Sequence, residues 1–251
     1  MNCMNDLGIG KTMKFRLVES LDFSISLLED SGNPISKKVS DFFHEHSDLI
    51  KNLDLDQFYH ECEKTQNKKF AISVYQTLLR IADVDFLLQH SSFIPDYFFS
   101  DNKTIHSIIV PNNIVNMGIL CFANSSVQYA DLSQAQITDI PVGAFYQCTN
   151  LRTVNLPKGL QVIDECAFYE CPITKIDLPE ELLSIGRISF QDTKLKEIHI
   201  PKSVVFIGDG AFDVQTLTDV YLSKKLYVSL NWIDIIRSVP HLAEMHFHWT
   251  P

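Results

Sequence analysis

Apolar residues recur in a fixed pattern through most of the chain, each time in the order apolar-x-x-apolar-x-apolar. The pattern occurs in segments 105–111, 127–133, 151–157, 173–179, 195–201 and 217–223, and in a separated last copy at 242–247. The alternation that ends each segment is that of a half-buried β-strand, and a proline or serine placed after it ends the strand. We therefore predict one short strand in each segment.

These segments belong to a longer repeat with a period of 22 residues. The period is displayed by three prolines and three phenylalanines, Pro157, Pro179, Pro201, Phe168, Phe190 and Phe212. Self-similarity of this kind is typical of a solenoid, in which each repeat stacks on its neighbour and buries a shared core. We predict that the second half of each repeat is a short strand and a tight turn, with the phenylalanine inside. Gly186 and Gly208 stand where we expect backbone angles that favour glycine.

Residues 1–92 lack the repeat, and their apolar residues follow a helical spacing instead. We predict an N-terminal extension, a helix from Ser36 onward, a second over 55–63 and a third over 69–88. This small helical domain is expected to cover the open end of the solenoid, which would otherwise expose apolar side chains. The repeats and a C-terminal cap then occupy 93–251, where 93–99 look like a turn half without its strand. A further helix is expected at 226–237.

The repeat pattern LxxIxLPxxLxxIGxxAFxxC resembles the BspA-type leucine-rich repeat of bacterial, protozoal and phage proteins. The resemblance covers about residues 93–251. It implies an α+β chain here, in which the helical domain precedes a curved leucine-rich-repeat β-solenoid with a parallel sheet on its concave side. It also implies binding to proteins or surfaces, without enzymatic activity in the repeat. The opening residues 14–19, with helices ahead of the repeats, are similar to proteins from phages of gut Firmicutes.

Charge and composition narrow the functional classes. The net charge is −10, which argues against general nucleic-acid binding because that role needs a basic surface, and which suits a basic protein partner. No run of apolar residues approaches the length of about 18 residues that a membrane-spanning helix needs. Residues 1–12 do not resemble a signal peptide, and six cysteines in a chain of this length are not a disulfide framework. We therefore expect reduced thiols and a cytoplasmic location.

Motifs that would carry chemistry are incomplete. Residues 8–12 end like a phosphate-binding loop but lack its first glycine. His44, His46, His60 and Cys62 are too irregularly spaced for a structural zinc site, and the chain contains no GxSxG nucleophile elbow. We therefore predict no catalytic, cofactor or metal site. An enzyme with its active site in the helical domain remains the alternative.

The outward side of the predicted sheet is the candidate binding site. The third and fifth positions of each strand alternate with buried positions and point outward, and neighbouring strands lie about 4.8 Å apart. These positions therefore form two columns of side chains. The third-position column is predicted to contain Ser107, Tyr129, Thr153, Lys175, Glu197, Asp219 and Glu244. The fifth-position column is predicted to contain Ile109, Asp131, Asn155, Asp177, His199, Tyr221 and His246.

Partner contacts are predicted at the charged, aromatic and amide members of these columns, because tyrosine provides large contact area with a polar end. They are Tyr129, Asp131, Asn155, Lys175, Asp177, Glu197, His199, Asp219, Tyr221, Glu244 and His246. The leading hypothesis is a non-enzymatic interaction protein of phage or mobile-element origin with a protein partner. A sharper form makes it an inhibitor of a host defence nuclease, as anti-CRISPR proteins are. A cell-surface adhesin is a further alternative.

Overall fold

A computed structural model describes residues 33–223 and 246–250, together with Leu21, Ile25, Ser26 and Leu28. The chain divides into two compact units, of which the first ends at Ser91 and the second begins at Ser92. The first unit is helical and the second is built from short parallel strands. The predicted helix at 226–237 lies outside the described residues.

The helical unit contains five described helices. They are α1 (Pro34–Glu45), α2 (Ser47–Lys51), α3 (Leu55–Glu63), α4 (Lys68–Ile81) and α5 (Val84–Gln89). All but α2 begin after an Asn or Asp whose side chain accepts a backbone N–H of the first turn, which satisfies one of the donors left free at a helix start. Their core is aromatic and fully buried, with Phe43, Phe58, Tyr59 and Tyr75 each at most 1% exposed.

The predicted helix over 69–88 is in fact two helices, α4 and α5. Ala82 follows α4 in an extended conformation, with φ of −127° and ψ of 146°. The carboxylate of Asp83 then accepts the N–H of Phe86 at 3.1 Å and starts a new helix. A capping residue inside an apolar periodic stretch therefore divided a helix that the spacing alone predicted as continuous.

The second unit contains twelve described strands, two for most repeats. The first strands of the repeats are β2 (Ser107–Ile109), β4 (Tyr129–Asp131), β6 (Thr153–Asn155), β9 (Glu197–His199), β11 (Asp219–Ser223) and β12 (His246–Thr250). The second strands are β1 (Phe93–Ile94), β3 (Asn116–Met117), β5 (Asp139–Ile140), β7 (Val162–Ile163), β8 (Ser184–Ile185) and β10 (Phe206–Ile207). First strands pair with first strands and second strands with second strands. Every one of these pairings is parallel, which confirms the predicted solenoid architecture.

A ladder of stacked phenylalanines runs through the interior of the repeats. Its six rings are Phe99, Phe122, Phe145, Phe168, Phe190 and Phe212. Successive ring centroids lie 4.7 to 5.5 Å apart and the ring planes deviate by at most 15° from parallel. All six rings are buried, so the predicted interior stacking is confirmed. The presence of Phe99 in the ladder also confirms that residues 93–99 are the turn half of a repeat.

The physical reason predicted for Gly186 and Gly208, a need for permissive backbone angles, was wrong. Neither glycine has a positive φ; instead, each lies against the backbone of the preceding coil. A Cβ placed on Gly186 would lie 2.5 Å from the carbonyl carbon of Asp164 and 2.5 Å from the amide nitrogen of Glu165. These glycines are therefore required because the coils approach closely, since a side chain there would separate them.

Left-handed backbone occurs at another position, two residues before each stacked phenylalanine. Gly143 and Gly210 occupy it with φ of 60° and 64°, which costs glycine little. Leu120, Cys166 and Ile188 occupy it in other coils with φ of 53°, 57° and 48°. The turn therefore imposes this conformation even on a β-branched residue, for which it is strained.

The first-strand sheet is interrupted at the fourth segment, which was predicted to be a strand. Residues 173–179 are not in a strand, and the first strands form two separate sheets of three, in the orders β2-β4-β6 and β12-β11-β9. Ile173 and Ile176 nevertheless remain buried at their repeat positions. The segment therefore keeps its place in the core but does not pair as a strand with its neighbours.

Replacing Phe168 by Ala should lower the free energy of unfolding by about 3–5 kcal/mol, because the cavity would lie between two stacked rings. Phe206→Ala is the matched control, since Phe206 is 54% exposed and its loss should change stability by about 0.5 kcal/mol or less. Urea denaturation of both variants measures the difference. Equal losses in the two variants would contradict the interior ladder.

Gly186→Ala should destabilise the protein by about 1–3 kcal/mol, because the added methyl group meets backbone atoms that cannot move aside. Gly159→Ala is the control, since no atom lies within 4 Å of the added Cβ there. That variant should be neutral or more stable by roughly a few tenths of a kcal/mol, since alanine lowers the conformational entropy of the unfolded chain. The same denaturation experiment compares the two, and a tolerated Gly186→Ala would show that the coils can separate.

Candidate binding surface

The third and fifth positions of the described first strands point outward, as predicted. The residues between them, Ile108, Ala130, Val154, Ile198 and Val220, are each at most 5% exposed. The strand register aligns the outward residues in columns, in the order Ser107, Tyr129, Thr153 for one column and Ile109, Asp131, Asn155 for the other. Glu197 lies beside Asp219, and His199 lies beside Tyr221. We call this exposed set the outward face.

The register predicted for the last strand was wrong by two residues. Asp219 pairs with His246 and Tyr221 pairs with His248, so His246 belongs to the third-position column. Glu244, which was predicted there, lies outside the described residues. The partners Asp219 and His246 are 27 residues apart instead of 22, because the chain between the two strands is longer than one period. His246 still points outward, and His248 joins it on the same side.

A hydrogen-bonded group holds the first part of the outward face. The hydroxyl of Tyr129 donates to the carboxylate of Asp131 at 3.2 Å, and the amide of Asn155 donates to the Tyr129 oxygen at 3.0 Å. Partial burial and then the charge of Asp131 raise the pKa of Tyr129, so its hydroxyl stays protonated and remains a donor. Three predicted contact residues from two strands are therefore fixed relative to one another.

Lys175 and Asp177 lie on the interrupted segment between the two sheets. Their charged groups are 3.3 Å apart, and their side chains are 69% and 87% exposed. An ion pair this exposed contributes little to stability. Its two opposite charges offset each other on the outward face.

Three aromatic rings stack at the C-terminal end of the outward face. The ring of Tyr221 lies between those of His199 and His248, with centroid distances of 4.1 Å and 4.3 Å and interplanar angles of 2° and 12°. Each ring comes from a different strand at the same register position. The stack therefore follows directly from the parallel pairing of these strands.

Asp219 lies beside this stack, is hydrogen-bonded to His248 and lies near His246. Its carboxylate is 2.8 Å from Nε2 of His248 and 3.6 Å from Nδ1 of His246. It also accepts the hydroxyl of Thr218 at 2.7 Å. The hydrogen bond from His248, followed by that from Thr218, lowers the pKa of Asp219 because both stabilise its ionised form. Asp219 therefore stays charged through the whole range in which histidines titrate.

A shallow groove borders the aromatic stack. It has a volume of about 220 Å³ and is lined by Leu178, Glu180, His199, Pro201, Lys202 and Tyr221, among others. Its lining residues come from the end of the interrupted segment, from the end of β9 and from β11. The groove thus offers some apolar side chains, both charge signs and two aromatic rings to a single inserted side chain.

The outward face is acidic among the described residues. Four carboxylates, those of Asp131, Asp177, Glu197 and Asp219, face one ammonium group, that of Lys175. Histidines supply the remaining titratable groups at the end near β12. A surface with this excess of carboxylates attracts a cationic partner and repels an anionic one.

Sites for chemistry elsewhere were tested on the described residues. Those residues contain no group of three or more His, Cys, Asp or Glu side chains that could hold a metal ion. Burial raises the pKa of Cys62 to about 12, so this thiol is protonated at neutral pH and is a poor nucleophile. No helix in the described part of the chain is long and apolar enough to cross a membrane.

Sequence reasoning missed three features of the surface: the position of His248, the aromatic stack and the groove. His246 and His248 alternate, which already indicates a shared side of one strand. The stack could not be predicted, because it depends on the true register of β12 against β11. The groove depends on the interruption at residues 173–179, which the repeat pattern conceals.

Replacing His248 by Phe should raise the pKa of Asp219 towards the ordinary value of an aspartate, because Phe preserves the ring stack but cannot donate a hydrogen bond. Carboxyl titration by NMR measures the pKa. Asp131 is the control, because its hydrogen bonds come from Ser133, Tyr129 and Asn155 and not from His248. Burial tends to raise the pKa of Asp131, but these hydrogen bonds outweigh burial and lower it. An unchanged Asp219 titration would mean that His248 does not bind it.

Comparisons with known proteins agree with this fold. A family model described as BspA type leucine rich repeat region matches in six copies, over residues 68–192 and 121–231. A leucine-rich repeat protein from Bacteroides ovatus is similar in structure, with a TM-score of 0.51, 24% identity, and coverage of 64% of this chain and 46% of that chain. Among curated proteins, none matches this sequence.

Two further solved structures show weaker similarity. The leucine-rich repeat protein TpLRR from T. pallidum has a TM-score of 0.45 and 27% identity, covering 52% of this chain and 63% of its own. One from Eubacterium ventriosum has a TM-score of 0.43 and 24% identity, covering 47% and 32%. This chain therefore spans less than two thirds of the length of each of the three. Because the family model matches more than half of the sequence, the chain belongs to the BspA-type leucine-rich repeat proteins.

Proposed function

We propose that this protein is a non-enzymatic interaction module that binds the basic surface of a partner protein with its outward face. The observation that carries the proposal is the excess of carboxylates in two aligned columns, where Asp131, Asp177, Glu197 and Asp219 are accompanied by a single lysine, Lys175. Leucine-rich repeats generally bind proteins, and this surface gives the binding a charge preference. The proposed place of action is the cytoplasm.

The rigidity of the outward face supports this role. Its backbone is fixed by parallel ladders, and the residues between the outward ones are buried in the core. Tyr129 is held by two hydrogen bonds and Tyr221 by two stacked rings. Side chains that are already ordered lose little conformational entropy on binding, which favours affinity. Tyrosines placed in this way provide area that does not have to be organised by the partner.

A narrower form of the proposal makes the partner a nucleic-acid-binding enzyme, such as a host defence nuclease, and makes this protein its phage-encoded inhibitor. The acidic outward face favours this form, because nucleases bind their substrates through basic surfaces. Occupation of such a surface would exclude the nucleic acid without any reaction. The identity of the partner separates this form from a general interaction protein and from an adhesin, whose partner would be a component of another cell's surface.

Charge reversal on the outward face tests the proposal. The double variant Asp177→Lys/Glu197→Lys should weaken binding to a partner isolated by affinity capture by about tenfold or more, since attraction becomes repulsion. The control Asp41→Lys/Asp209→Lys makes the same change in net charge at exposed positions outside the face, and should bind within about twofold of the original protein. Calorimetric titration of the purified partner measures each affinity. Equal weakening in both variants would contradict the assignment of the face.

A further inference from the structure

We propose that binding at the outward face is regulated by pH through the three histidines at its C-terminal end, so that a basic partner is bound at neutral pH and released in mild acid. The inference rests on the proposed function and adds a regulatory property to the same surface. It depends on the placement of His199, His246 and His248 beside the carboxylates that would attract the partner.

The three histidines form one solvent-accessible cluster on adjacent strands. His199 and His248 enclose the ring of Tyr221, and the ring centroids of His246 and His248 are 6.5 Å apart. The side chains of His246 and His248 are 71% and 43% exposed, so protons reach both from solvent. A change in their charge would therefore act directly at the surface that meets the partner.

The charged groups around the cluster come from every described strand beside it. Strand β9 contributes Glu197 and β11 contributes Asp219, while the hydroxyl of Tyr221 is the remaining titratable group between the rings. The preceding segment contributes Lys175 and Asp177, already paired with each other. Glu180 and Lys202 both line the adjoining groove. With neutral histidines, carboxylates therefore dominate the immediate surroundings.

Protonation of the histidines would reverse this balance. An imidazole takes up its proton at a higher pH than a carboxylate does, so mild acid adds positive charge to such a surface before it removes negative charge. Asp219 in particular stays ionised because its pKa is lowered by its hydrogen bonds. Three imidazolium groups would offset the excess of negative charge on the outward face. A cationic partner would lose its attraction and meet repulsion at the aromatic end.

The groove gives this change a defined point of action. His199 and Tyr221 form part of its lining, so a cationic side chain inserted there would lie beside His199. A proton on that ring places two positive charges at contact distance. Release would therefore begin at the groove, while the group formed by Tyr129, Asp131 and Asn155 at the other end contains no histidine.

The test uses a fluorescently labelled deca-arginine peptide as a probe of defined charge, with affinity measured by anisotropy at low salt. The original protein should bind the peptide about tenfold more weakly at about pH 5.5 than at about pH 7.5. We expect this factor because three exposed charge contacts together contribute about that much to affinity. The triple variant His199→Gln/His246→Gln/His248→Gln should bind equally at both values within about twofold. His106→Gln, an exposed histidine of the first repeat, should retain the full pH response.

The outcomes separate this inference from the proposed function. Binding at neutral pH that does not weaken in acid, or weakening that persists in the triple variant, would overturn the pH regulation and leave the binding face in place. Failure of the original protein to bind the probe at either pH would overturn the proposed function itself. The variant His246→Gln, at the more exposed of the two histidine positions in β12, should show a reduced response, and it provides the same test if the triple variant does not fold.

Discussion

Face-to-face stacking of one phenylalanine per repeat sets the geometry of the solenoid. Each ring contacts the ring before it and the ring after it, so its position fixes the rise from one coil to the next. The same rise brings Gly186 against the backbone of the preceding coil and leaves no room for a side chain. It also allows the thiols of Cys148 and Cys171 to donate to the carbonyl oxygens of Phe122 and Phe145 one coil earlier, at 2.9 Å and 3.0 Å.

The outward face inherits its order from this interior. Because the strands are parallel and in register, a residue type that recurs at one position of the repeat produces a continuous column on the surface. The aromatic stack of His199, Tyr221 and His248 is the external counterpart of the phenylalanine ladder, with similar ring spacing. The interior columns are uniform and apolar, whereas the outward columns vary from coil to coil. Variation is tolerated there because outward side chains do not enter the shared core.

The features that the sequence predicted well are those that depend on periodicity alone. The buried phenylalanines, the parallel strands and the outward direction of residues such as Tyr129 and Glu197 follow from a period of 22 and from strand alternation. The errors arose where a local effect overrides the period. Residues 173–179 form no strand, Asp83 divides a helix, and the long connection before β12 shifts the register of His246. The aromatic stack and the groove depend on these local effects, so they were visible only in three dimensions.

The uniform interior has a consequence for how such a protein changes during evolution. Residues 173–194 make up one complete period, and their removal would bring Phe212 into line with Phe168. Equivalent repeat positions would still contact each other across the new junction. Gain or loss of a whole repeat by recombination therefore leaves the apolar core intact. Each such event nevertheless deletes or inserts one row of exposed side chains. A lineage can thereby redesign what it recognises in single genetic steps without first having to repair its fold.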